Sequence, residues 1–362
     1  MTALKDRLRQ LIATAGPISV ADYMAACLFD PHHGYYTTRE PFGTEGDFTT
    51  APEISQMFGE LIAVWAYSAW TTAGRPMPAT LAEIGPGRGT LMADMLRTLD
   101  RLDTGFVTRV RIALIEASPR LTELQKERLT GGRGRPTWYA DLAGLPALPL
   151  FIVGNELFDA VPVRQFVKTA QGWCERMVGL DGDGELAFAV GGAGIDPALL
   201  PPNAAGAPEG AVFEAAPARE ALMDEICARI AGKGGAALFV DYGHTQPGLG
   251  DTLQAVRRHA YDDVLGHPGE ADLTSHVDFS ALAAIAEAHG LEARTATQGE
   301  FLLGLGLVER AGKLGAAADE ETRDRLRGEV ERLAGADAMG ALFKVICVCG
   351  KGMDLPPFAA SR

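Results

Sequence analysis

The chain has 362 residues, 47% of them hydrophobic, enough to bury one large core with an appended piece or two modest domains. Its 47 acidic side chains against 33 basic ones give a formal net charge of −14, which repels phosphate backbones and anionic membranes and argues against broad nucleic-acid binding. No apolar run reaches the length of a membrane span and the start of the chain lacks a secretory apolar core, so the expectations are no membrane insertion and a cytoplasmic location.

The first predicted elements are helical. Leu4, Leu8, Leu11, Ile12 and Ala15 share one helical face, and Ser19 with Asp22 three residues later reads as the cap of a second helix. Two stretches punctuated by Gly and Pro follow, Pro31 to Tyr36 and Gly46 to Ile54, and then an apolar-rich helix from Ile54 to Trp70. Residues 1–75 therefore read as an N-terminal helical lid over a bound ligand. In it Tyr35, Tyr36 and Asp47 shape an acceptor pocket, while His32 and His33 are structural.

The strongest signal is Ala82 to Leu91, a strand, a glycine loop and the start of a helix. Gly85, Gly87 and Gly89 accept positive φ and let backbone approach a ligand under a helix N-terminus, with Glu83 just ahead of them. A dinucleotide fingerprint would show GxGxxG and an acid about 20 residues on. Here the spacing is GxGxG and the next strand's acid, Glu116, lies further away, which disfavours a nicotinamide-dependent dehydrogenase. Leu91, Met95, Leu96, Leu99 and Leu102 then line one helix face, and Leu121, Leu124 and Leu129 the next.

Further strands are predicted at Val110 to Ala117, Thr137 to Ala140, Leu150 to Gly154, Ala236 to Tyr242 and Leu342 to Val348. Alternation with helices implies a parallel, doubly wound α/β sheet. The pattern breaks after Leu157: Val163 to Val190 reads as antiparallel strands turned at Gln171-Gly172 and Asp181 to Gly184. A loop over 191–210 and a helix carrying Leu222, Ile226 and Ile230 return the chain to the sheet. Residues 248–274 read as a long irregular loop, Asp278 as a helix cap, Leu291 to Thr297 as the penultimate strand, and Leu326, Val330 and Leu333 as a late helix. The resulting division is 1–75, a core segment 76–162, a β-rich insertion with its return helix 163–232, and the second core segment 233–362.

In an open parallel sheet the ligand lies beyond the carboxyl ends of the strands. The residues there are Gly85 to Gly89, Glu116, Asp141-Leu142, Asn155-Glu156 and Asp241-Tyr242. Glu116 can accept from both hydroxyls of a ribose, and Asp141 and Leu142 can take an adenine amino group and cover its ring. Within Asn155 to Asp159, two carboxylates and an amide suit a guanidinium held in bidentate fashion. A carboxylate there can localise charge on two nitrogens and take the proton from the third, the role given to Glu156, with Asp159 orienting the acceptor. Of the five cysteines only Cys347 and Cys349 are close together; they read as buried strand residues, with reduced thiols and no metal site.

An acid, a glycine loop and a second-strand acid in this order resemble the S-adenosylmethionine site of Rossmann-like methyltransferases. Gly46 to Ser55, Glu83 to Gly89, Asn155 to Pro162 and Val240 to Gly243, taken together, resemble the MidA-like methyltransferases, a family related to the mitochondrial complex I assembly arginine methyltransferase. The resemblance implies a class I methyltransferase fold, S-adenosyl-L-methionine as donor with S-adenosyl-L-homocysteine as product, and no metal. It also implies a protein arginine as acceptor, by analogy in the hydrogenase-like subunit of complex I. By the same resemblance Thr50, Ala51 and Pro52 touch the cofactor; Glu83, the three loop glycines, Glu116, Asp141, Leu142 and Asn155 are expected to join them from their places at the strand ends. Asp241 and Tyr242 would join the acceptor site. Two alternative functions stay open at this point, a donor-binding assembly factor that acts by holding a client and, less favoured, the nicotinamide-dependent dehydrogenase; a homodimer is left open as a partner.

Overall fold

Apolar strands alternating with amphipathic helices build the central sheet of the computed structural model, which describes residues 2–39 and 50–358. Its strands are β1 (Thr80–Ile84), β2 (Arg111–Ile115), β3 (Thr137–Tyr139), β4 (Leu150–Asn155), β5 (Gly235–His244), β6 (Glu292–Thr297) and β7 (Phe343–Cys349). They are ordered β3-β2-β1-β4-β5-β7-β6. Strands β3, β2, β1, β4 and β5 are mutually parallel, whereas β7 runs antiparallel to both β5 and β6. All five residues of β1 are buried, as expected for a strand covered on both faces. The chain leaves β1 toward β2 and β3 and returns to β4 on β1's other side, which puts the topological switch point at the end of β1.

The antiparallel β7 departs from the expected all-parallel sheet. Its residues form an apolar run of the kind any fully buried strand shows, and such a run carries no record of direction.

The chain forms two compact units. The sheet belongs to the one comprising Thr49–Leu157, Leu222–Thr245 and Asp278–Arg362. Its core joins Met57, Phe58 and Trp65 of the helix Gln56–Thr72, Met92, Met95 and Leu99 of the helix Thr90–Leu102, and inward residues of the strands. The other unit comprises Met1–Phe48, Phe158–Ala221 and Gln246–Val277. It holds the helices Ala3–Ala15 and Val20–Phe29 and an antiparallel sheet in which Gly172–Leu180 pairs with Arg164–Thr169, Leu186–Gly194 and Ile18–Ser19. The two turn signals of the insertion fall where these strands reverse. Asp181 Oδ1 accepts from Asp183 N and Glu185 N, with Gly184 at φ 77°. The units thus cut the chain at 48/49 and 157/158 rather than at 75/76 and 162/163, so the helix Gln56–Thr72 goes with the sheet and not with a lid segment.

Several expectations are met locally. Ser19 accepts from Asp22 N, and Asp278 accepts from Ser280 N and Ala281 N, so both caps form. Others are corrected. Leu11 and Leu102, counted on apolar stripes, are about half exposed at 50% and 51%, since each sits at the margin of its face.

The irregular loop expected at 248–274 contains three antiparallel strands, Gln254–Arg257, Ala260–Asp262 and Asp272–Thr274. The first hairpin turns through Arg258 and His259, both at positive φ (54° and 62°), where Asn-Gly or Asp-Gly would have announced the turn. All five cysteines are free thiols. Among the described residues, no helix is long and apolar enough to cross a membrane, and no group of three His, Cys, Asp or Glu side chains is placed to hold a metal ion.

Candidate functional site

The loop after β1 is set by its glycines. Gly85, Gly87 and Gly89 all have positive φ (66°, 52° and 77°), which side chains strongly disfavour. A Cβ on Gly85 would lie 3.1 Å from Leu157 Cδ1. The helix Thr90–Leu102 starts directly after Gly89, so its free N–H groups face the loop.

Glu83, 3% exposed, accepts from Met92 N in the first turn of this helix, while its Oε2 is buried without a hydrogen-bond partner. Burial pushes the Glu83 carboxyl well above the ordinary carboxylate range; the Met92 N–H opposes this and the nearby Glu116 charge adds to it. A buried carboxylate with one unused oxygen suits a cationic donor group on a ligand.

Glu116 stands just past β2. Its Oε1 accepts from Ser118 N (2.7 Å) and its Oε2 from Gln125 Nε2 (3.0 Å). Burial raises its pKa, opposed by Ser118 N–H, the Gln125 amide, Ala117 N–H and Arg120. Gln125, fully buried, also donates to Gly87 O (2.8 Å) and accepts from Trp138 Nε1 on β3 (2.9 Å). Past β3, Asp141 caps the turn Leu142–Gly144 by accepting from Gly144 N (3.0 Å), and Leu142 is buried.

At the tip of β4, Asn155 Nδ2 donates to Glu156 Oε1 (3.0 Å), and Asn155 Oδ1 is buried without a partner. Glu156 holds φ 51°, a conformation costing a residue with a Cβ roughly 1–3 kcal/mol and typical of sites where the chain must present a side chain. Thr50, Ala51 and Pro52 form the first turn of the helix Ala51–Ile54. Glu53 of that helix accepts from the Thr90 hydroxyl, which ties it to the end of the glycine loop. Asp241 is fully buried and accepts from Tyr242 N (2.9 Å). The Tyr242 ring packs in the core, edge-on to Phe343 with centroids 5.5 Å apart.

The other unit holds the remaining predicted residues. Asp159, 4% exposed, accepts from Ala160 N (2.8 Å). Tyr36 donates to Asp272 Oδ1 (3.0 Å) and feels the charges of both Asp272 and Asp159. Burial comes first in raising its pKa. Tyr35, by contrast, is fully buried in this unit's core and serves packing. Asp47 lies outside the described residues.

Arg219, 2% exposed, donates to the carbonyls of Asp159, Val161, Ser275 and His276 and to Ser275 Oγ, and so clamps the backbone that carries Asp159.

Gln125, Arg219 and Asp272 were not singled out from the sequence. For Gln125 a signal existed: it falls four residues after Leu121, on the buried face of the helix Pro119–Arg128, where a polar residue needs a polar partner. Arg219 and Asp272 left no comparable pattern, because their partners are 56 residues or more away in the chain.

The chain is similar to known methyltransferases over most of its length. A family description of S-adenosyl-L-methionine-dependent methyltransferases matches residues 61–297. The mitochondrial protein arginine methyltransferase NDUFAF7 of Danio rerio is 36% identical over 369 residues, 95% of this chain and 86% of the relative. Its Homo sapiens counterpart is 35% identical over 371 residues, 95% and 82% respectively. A crystal structure of a superfamily member from Burkholderia thailandensis bound to S-adenosyl-homocysteine superposes with a TM-score of 0.83 at 32% identity, covering 97% of this chain and 92% of that one. The mitochondrial designation of the curated relatives overturns the expectation of a cytoplasmic location. Net charge and hydropathy carry no information about which aqueous compartment a chain enters.

Proposed function

The chain belongs to the S-adenosyl-L-methionine-dependent methyltransferase family, and on that premise we propose that it methylates an arginine ω-nitrogen of a protein substrate, a subunit of respiratory complex I being the acceptor we favour. The fold is that of the class I, Rossmann-like methyltransferases, and S-adenosyl-L-methionine is the donor, with S-adenosyl-L-homocysteine as product. The residues present fit the donor: Glu83 has an unused buried oxygen, Asn155 another, and the three loop glycines hold the positive φ that turns the backbone under the N-terminus of the helix Thr90–Leu102. The Glu83 oxygen is the observation that carries the donor assignment.

The donor supplies a methyl group made electrophilic by a sulfonium. In our reading Glu83 receives the ammonium of its amino-acid portion, Glu116 accepts from the ribose hydroxyls, and Asp141 with Leu142 takes the adenine. Thr50, Ala51, Pro52 and Asn155 close the pocket. A guanidinium nitrogen attacks poorly because its lone pair is delocalised. A carboxylate beside the guanidinium gathers charge on the nitrogens that do not react, and Glu156 takes the proton. The relatives are named as protein arginine methyltransferases, which supports the choice of arginine.

Purified protein given methyl-labelled donor and a complex I subunit should label arginine; label on another residue type, or none, overturns the acceptor assignment. Glu156→Gln should lower kcat by roughly 100- to 10,000-fold, the usual loss for a missing acid or base group, and leave S-adenosyl-L-homocysteine affinity unchanged. A comparison of single-turnover rates with calorimetric affinity separates the two.

Donor binding is also expected to depend on pH, with a definite sign. Ribose hydroxyls and an ammonium bind the charged carboxylates, whereas burial raises the pKa of both Glu83 and Glu116 in the free protein. Affinity for S-adenosyl-L-homocysteine should therefore fall as pH drops through those raised values, by up to about tenfold per pH unit for each group. The folding contribution of the same groups has the opposite sign: it is fully present below their unfolded pKa and lost as pH rises through the folded one. Calorimetry from pH 5 to 8 checks this; an affinity independent of pH, or one rising on acidification, contradicts it.

A further inference from the structure

We infer that Gln125 is the positioning residue of the donor site, the group that fixes the Glu116 carboxylate relative to the glycine loop so that it meets the ribose. The inference rests on the reading of Glu116 as the ribose acceptor.

One buried amide joins three successive strand tips. Its Nε2 reaches Gly87 O (2.8 Å) and Glu116 Oε2 (3.0 Å), and its Oε1 takes the Trp138 indole N–H (2.9 Å). The orientation of the amide is forced. An indole N–H can only donate, and a carbonyl and a carboxylate can only accept, so a flipped amide would lose all three bonds. No other uncharged side chain supplies two donors and an acceptor at this reach, apart from the shorter Asn.

The aliphatic part of Gln125 has a second task. A Cβ placed on Gly89 would lie 3.4 Å from Gln125 Cγ, so the side chain also packs beneath the left-handed residue that starts the helix Thr90–Leu102. Glu116 has two oxygens; Ser118 N holds one and Gln125 the other, which sets the carboxylate plane before any ligand arrives. Preset geometry of this kind raises affinity by lowering the ordering cost of binding.

The test is calorimetric binding of S-adenosyl-L-homocysteine to the full chain and to Gln125→Met, Glu116→Gln and the double variant. Gln125→Met should weaken binding by roughly 10- to 100-fold, the cost of freeing the carboxylate that meets the ribose, while the unpaired Gly87 carbonyl and Trp138 indole lower stability in free and bound protein alike. The double variant should bind no more weakly than the worse single one, because both remove the same contact. An analogue of the product lacking both ribose hydroxyls should bind wild type and Gln125→Met equally, which a merely structural role would not produce.

Gln125→Glu, of the same size, sets an acceptor against two acceptors and should weaken product binding in the same way; it keeps the inference testable if the Met variant does not fold. Product binding by folded Gln125→Met or Gln125→Glu within twofold of wild type, or fully additive losses in the double variant, overturns the role of Gln125 alone. Unchanged binding by Glu116→Gln overturns the underlying ribose assignment, and the inference with it.

Discussion

Replacing Glu116 with Ala is expected to weaken S-adenosyl-L-homocysteine binding by roughly 100- to 10,000-fold, the largest effect of any single substitution at the candidate donor site. Two hydrogen bonds from ribose hydroxyls to a carboxylate are each charge-assisted, and such bonds contribute about 1.5–3 kcal/mol apiece. The protein supports this carboxylate from two sides, with Ser118 N and the Gln125 amide each held by one oxygen. Truncation to Ala would therefore also leave both donors without their partner, so some loss of stability should accompany the loss of binding. Equilibrium dialysis with labelled product measures the effect; a loss under tenfold would remove Glu116 from the site.

The second large effect concerns stability. Arg219→Met should cost about 3–5 kcal/mol, since four backbone carbonyls and a hydroxyl lose a buried cationic donor that water cannot replace. A methionine fills much of the same volume, so the loss isolates the polar contacts from packing. Arg219 gathers segments distant in the chain, Asp159 to Val161 and Ser275 to His276, and the opening should begin there. Hydrogen exchange at Ala160, Val161 and His276 should accelerate, with a lower urea midpoint for the whole protein. Affinity for S-adenosyl-L-homocysteine in the remaining folded protein should stay as it was. A midpoint equal to that of wild type would show that the carbonyls find other partners.

Much of the geometry of the candidate donor site was legible because it is local. The GxGxG spacing needs three residues at positive φ within five positions, and glycine alone takes such φ without strain, so the loop announces itself. Glu83 and Glu116 were legible from position alone, as the acids within and just past consecutive apolar strands. Helix caps at Ser19 and Asp278 are likewise decided within three residues. The hairpin through Arg258 and His259 was not legible, because its turn residues bear side chains that ordinarily avoid positive φ and are held there by the strands they join.

Tyr35 and Tyr242 show the opposite limit. An aromatic beside a loop or strand end suits either a pocket or a core, and the outcome depends on what packs against it; Phe343 decides it for Tyr242. Gln125 belongs to the same class, a polar residue on a buried helix face whose three partners lie 9 to 38 positions away.

The amino-acid order by itself determined the alternation of strands and helices, the glycine loop with its two acids, and the turns of the insertion, since each depends on backbone preference or side-chain spacing over a few residues. Tertiary structure decided the direction of β7, the amide that joins three strand tips and the buried guanidinium that gathers distant carbonyls. Those features are energies of contact between groups far apart in the chain, and they exist only once the sheet and its covering helices have brought the groups within hydrogen-bonding reach.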